Sequence, residues 1–107
     1  MSPRGSESPL TERLDEVAAT LQGIDRGGEG TAVAYRVGGA LFAVVEGGRA
    51  SFRLKPDIAA AALRTPGARP SDRGQGWVDL EPETLDSFAL DRAAAWFESA
   101  ARHARVA

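Results

Sequence analysis

The sequence predicts an α+β fold of two layers in the order α-β-β-β-α-β(β)-α, an antiparallel sheet packed against terminal helices. Three observations carry this reading. Apolar residues recur every three to four positions near both ends, and they recur every second position between Thr31 and Lys55. Two Gly-Gly pairs divide that alternating stretch into three runs. Strands grouped in a meander with helices outside them form a sheet covered by helices.

Met1–Glu7 is short, polar and Pro-containing and reads as a disordered tail, so residues 8–107 form a single domain. Ser8 is placed to cap a helix, with Pro9 at its first position and Leu10, Leu14, Val17, Ala18 and Leu21 on one stripe. Gly23 stops it, and Gly27, Gly28 and Gly30 predict a flexible loop. Thr31–Val37, Ala40–Glu46 and Arg49–Lys55 read as strands. Gly38-Gly39 and Gly47-Gly48 supply the positive φ of two-residue hairpin turns. Pro56 opens a helix over Asp57–Arg64, and Thr65–Gln75, rich in Pro, Gly and Arg, reads as a long exposed loop. Gly76–Glu81 looks like a further strand. Pro82–Leu90 is ambiguous between turn and helix. Asp91 is a cap for a last helix to about Arg105.

The 107 residues contain no cysteine and one histidine, which excludes disulfides, thiol chemistry, Cys-ligated metals and His-rich metal sites. No apolar run approaches a membrane span and Met1–Leu10 lacks a signal-peptide core, so a cytoplasmic protein with no membrane partner is expected. The serines have no nucleophile motif around them, and the Gly23–Gly30 segment follows a helix and lacks the Gly-Lys-Ser/Thr ending of a phosphate loop. Glu12, Asp15 and Glu16 read as a solvated helix face, and Asp79, Glu81, Glu83 and Asp86 as surface acids. His103 reads as a last-turn helix residue. The expectation is a non-enzymatic protein without metal or cofactor.

The net charge of −2 is unevenly spread. Residues 1–30 and 74–107 each hold three Arg against six acids, whereas residues 31–73 hold seven basic residues against three acids. With strict register across both diglycine turns, Phe42 faces Tyr35 on one side and Arg53 on the other. One sheet face then carries Val33, Tyr35, Val37, Phe42, Val44, Arg49, Ser51, Arg53 and Lys55. The other, with Ala34, Leu41, Ala43, Val45, Ala50, Phe52 and Leu54, is the expected core face. Rings interleaved with basic groups can stack bases while neutralising phosphates. They can also form a homodimer interface or a solvated surface.

Tyr35-Arg36-Val37-Gly38-Gly39-Ala40-Leu41-Phe42-Ala43, Phe52-Arg53-Leu54-Lys55-Pro56-Asp57 and Pro66-Gly67 through Gly76-Trp77-Val78-Asp79-Leu80 resemble motifs of the MmcQ/YjbR group of small bacterial proteins, also called YjbR/CyaY-like. The resemblance spans residues 31–105. It implies a compact α+β domain, no catalytic residue, and DNA as a partner. Three functions follow as expectations. The first is weak, sequence-independent nucleic-acid binding, with Arg36, Arg49, Arg53, Lys55, Arg69 and Arg73 on phosphates and Tyr35 or Phe42 stacking. The second is a homodimer through the same face. The third is a small-molecule pocket beneath the Thr65–Gln75 loop near Trp77, with Trp96 close to it.

Overall fold

A computed structural model of the chain describes residues 8–106; the expected N-terminal tail lies outside the described residues. The elements are α1 (Pro9–Thr20), β1 (Ile24–Glu29), β2 (Ala32–Val37), β3 (Ala40–Glu46), β4 (Arg49–Arg53), α2 (Pro56–Ala62), β5 (Ala68–Pro70), β6 (Trp77–Leu80) and α3 (Ser87–Val106). The six strands make one antiparallel sheet in the order β1-β2-β3-β4-β6-β5.

The first helix starts where its signals put it: the Ser8 hydroxyl accepts from the Thr11 amide at 3.1 Å, with Pro9 following. Leu10, Leu14 and Val17 are buried, and α1 packs on α3. The glycine-rich segment after it is a strand, not the expected loop. Its Gly27 and Gly28 pair with Ala34 and Val33 of β2, so cross-strand hydrogen bonding overrides the poor strand propensity of glycine. A second unexpected strand, β5, lies inside the expected 65–75 loop and places Ala68 opposite Leu80. The last helix begins five residues earlier than expected. Asp86 is its cap, its carboxylate accepting from the Ala89 amide at 2.9 Å, while Asp91 instead pairs with Arg13 at 2.7 Å.

One sheet face is covered by helices. Two rows cross it, Arg26–Tyr35–Ala43–Phe52–Val78–Pro70 and Gly28–Val33–Val45–Ala50–Leu80–Ala68. The core over these rows is filled by Phe97, Ala93, Ala100, Ala101 and Ala104 of α3, Leu10 and Leu14 of α1, and Ala59 and Ala62 of α2. The alanines of α3 bring that helix close to the sheet. Aromatic rings fill the space left over: Phe97 meets Tyr35 and Phe42 edge-on at centroid distances of 4.9 and 5.0 Å, and Trp96 meets Phe52 at 6.1 Å.

Both diglycine turns are two-residue loops, closing Val37 onto Ala40 and Glu46 onto Arg49. The register of β2 on β3 nevertheless shifts between Tyr35, which pairs with Ala43, and Arg36, which pairs with Leu41. Phe42 is the extra residue of a β-bulge. The bulge turns both Phe42 and Ala43 inward and moves all of β2 to the opposite face from the one expected. Tyr35 and Phe42 are therefore fully buried under α3, and Ala34 and Leu41 lie on the far face.

The helix-free sheet face as candidate functional site

The second face carries no helix among the described elements. Its central row crosses all six strands as Gly27–Ala34–Val44–Ser51–Asp79–Arg69. Ala34, Val44, Ser51 and Asp79 are buried, and Ala32 and Leu41 pack beside Ala34 and Val44. Small residues thus make a low floor, and longer charged side chains occupy the flanking register positions.

The charges on this face are paired by register. Asp25 lies opposite Arg36, Glu46 opposite Arg49 and Asp79 opposite Arg69, whose guanidinium also meets Glu81 at 3.0 Å. Arg53 lies opposite Trp77, and the guanidinium of Arg73 stands over that indole, 5.6 Å from its centroid. The basic middle segment therefore does not form a basic patch. The fold threads β1 and β6, from the acidic ends of the chain, between and beside its cations.

The eight residues expected to bind nucleic acid separate into three groups. Arg49, Arg53, Arg69 and Arg73 share the helix-free face, and the bulge brings Arg36, expected on the core face, to it as well. Lys55 lies at the start of α2, lining a hollow with Ile58, Ser99, Arg102, His103 and Val106 on the helical side. Tyr35 and Phe42 cannot stack on any ligand, because the bulge places both rings in the core with no exposed surface. The Tyr35 hydroxyl donates to Asp15 of α1 at 2.8 Å, and Asp15 also pairs with Arg26 at 3.1 Å. Asp15 is thus an anchor of the first helix to the sheet and not merely part of a solvated ridge.

Where the 71–73 loop meets the sheet, there is a cavity of about 230 Å³ lined by Val44, Glu46, Arg49, Ser51, Ser71, Asp72, Arg73 and Asp79. The Ser51 hydroxyl donates to the Asp79 carboxylate at 2.6 Å, and Glu46 accepts from the Thr31 hydroxyl at 2.6 Å. The Ser71 hydroxyl accepts from the Arg73 amide at 3.2 Å, which holds the loop in a tight turn. Arg49 is partly buried, and its side chain makes no hydrogen bond or ion pair with any described residue. Glu46 did not stand out in the sequence, and Asp79, expected as a surface acid, is buried because β6 pairs with β4 and sets it against Ser51. The alternation of Arg49-Ala50-Ser51-Phe52-Arg53 marks Ser51 as sharing a face with two arginines, but only the pairing of β4 with β6 brings Asp79 to it.

No family model, curated protein or solved structure matches this chain. No helix among the described residues is long and apolar enough to cross a membrane.

Proposed function

We propose that this chain is a non-enzymatic binding domain that holds a small polar ligand in the cavity of its helix-free sheet face. The observation that carries the reading is Arg49, a partly buried residue at a cavity wall whose side chain makes no hydrogen bond or ion pair with any described residue. A partly shielded guanidinium with no direct ion-pair contact keeps hydrogen-bond donors open, and an anionic ligand group takes them up. The cavity is smaller than the ~300–1,000 Å³ of sites for drug-sized molecules, so the ligand has few heavy atoms. A binding role fits the surroundings better than catalysis. Ser51 is hydrogen-bonded to a carboxylate, and the single imidazole, His103, lines the hollow on the helical side. A binding role is also what the likeness to the MmcQ/YjbR group suggests, a likeness that rests on the three motifs alone.

The test is amide chemical-shift mapping with a panel of acetate, phosphate, methylammonium, betaine and glucose. Shifts that saturate and centre on residues 44–51 and 71–79 support the reading; a panel that leaves those amides unmoved defeats it. Nucleic-acid binding is the second reading, favoured by Arg53 and Arg73 beside Trp77 and disfavoured by the acids that lie opposite Arg36, Arg49 and Arg69 in the sheet. It requires affinity for labelled DNA that falls steeply with added salt. A homodimer through this face is less well supported, since the exposed large apolar side chains Ile58, Leu63, Phe88 and Val106 lie on α2, α3 or just after α2.

A further inference from the structure

The cavity wall carries both signs of charge, which narrows the ligand further than its size does. Glu46, Asp72 and Asp79 line a space of about 230 Å³ together with Arg49 and Arg73. A simple anion placed against Arg49 meets three carboxylates. A simple cation placed against the carboxylates leaves Arg49 as it was. A molecule bearing a carboxylate and an ammonium group a short distance apart satisfies both sets at once. Resting on the ligand-binding reading above, we infer that the site takes a small zwitterion of the α-amino-acid class. Its carboxylate lies on the Arg49 guanidinium, where a planar two-point contact is available, and its ammonium lies toward Asp79 and Glu46.

Two of the carboxylates, buried Asp79 and exposed Glu46, are already oriented for this. Asp79 is buried and held by the Ser51 hydroxyl, and Glu46 is held by the Thr31 hydroxyl, so neither has to be ordered when a ligand arrives. The apolar element of the floor is Val44, which leaves room for a short ligand side chain and offers it no polar partner. Alanine or serine therefore suits the site better than arginine or tryptophan.

The experiment is titration of the full chain, by calorimetry and amide shifts, with alanine and with two analogues that each lack one charge: propionate and alanine amide. Alanine is expected to bind at least tenfold more tightly than either analogue. Arg49→Gln is expected to weaken alanine binding tenfold or more while Arg53→Gln, on the same strand and face but outside the cavity, leaves it unchanged. Circular dichroism of both variants establishes that they are folded. Propionate binding as tightly as alanine overturns the zwitterion inference and leaves the ligand-binding reading standing. Alanine binding that survives Arg49→Gln overturns the placement of its carboxylate. Silence to alanine, to both analogues and to the wider panel overturns both readings together.

Discussion

The β2–β3 and β3–β4 hairpins share a loop length and a loop sequence, yet they build different structures. At Gly38-Gly39 both residues have positive φ, 57° and 83°, as a type I′ turn requires; at Gly47-Gly48 only Gly47 does, at 63°, as in type II′. The β3–β4 ladder then runs without interruption from Glu46–Arg49 to Ala43–Phe52. The β2–β3 ladder breaks at Phe42 after two pairs. A tight turn sets where register begins, and side-chain burial decides whether it persists. Strict register would leave Tyr35 and Phe42 on the same face as Arg49 and Arg53. One bulge instead buries both rings, each worth roughly 1.5–3 kcal/mol for leaving water, at the cost of one irregular step in the ladder.

The largest test of that contrast is a pair of truncations at neighbouring positions. Phe42→Ala empties a fully buried site that touches Phe97 and is expected to cost about 3–5 kcal/mol in denaturant unfolding. Leu41→Ala, on the helix-free face and partly exposed, is expected to cost about 1 kcal/mol. A strict hairpin predicts the reverse order, because it would put Leu41 in the core.

The turns themselves give a smaller contrast. Gly39→Ala forces an alanine to φ 83° in open space, so its cost of about 1–2 kcal/mol comes from backbone conformation alone. Gly48→Ala meets no neighbour and no positive φ and is expected to change stability by less than about 0.5 kcal/mol. Equal losses at the two positions in thermal unfolding would show that the turns share one type.

Much of this architecture is legible in the sequence, and the failures have a common cause. The period-2 runs, the diglycine corners and the Ser8-Pro9 start locate β2, β3, β4 and α1 because those signals are local. β1 and β5 escape because Gly27, Gly28 and Pro70 give no strand signal, and pairing with an existing ladder is what makes them strands. The bulge was readable in principle. Taken singly, Val33-Ala34-Tyr35-Arg36-Val37 turns its large apolar residues one way, and Arg49-Ala50-Ser51-Phe52-Arg53 turns its polar residues one way. Strict register through both hairpins puts those two faces together, a conflict that one inserted residue removes. The cavity was half legible. Residues 71–73 of the loop wall a cavity, but neither Trp77 nor Trp96 lines it. Its charge balance was hidden, because summing charge by segment ignores which strands become neighbours.

The finest test reads the bulge through the chain's single tyrosine. Burial first, and then the hydrogen bond to the Asp15 carboxylate, push the Tyr35 phenol far above its ordinary value, with Arg26 opposing more weakly. In the unfolded chain that group ionises near pH ~10. Below that pH both states hold the proton and the stability from this site is complete. Above it the unfolded state releases a proton that the folded state keeps, so stability falls by up to about 1.4 kcal/mol per pH unit as pH climbs toward the folded-state value. Absorbance at the phenolate band is therefore expected to stay flat through the usual tyrosine range and to rise only with unfolding. Tyr35→Phe removes this alkaline slope and, by leaving Asp15 with Arg26 as its remaining partner, costs about 1 kcal/mol at neutral pH. Had register stayed strict, Tyr35 would stand on the helix-free face in contact with water. An ordinary, reversible titration in the folded protein would therefore place the ring outside the core and undo the bulge.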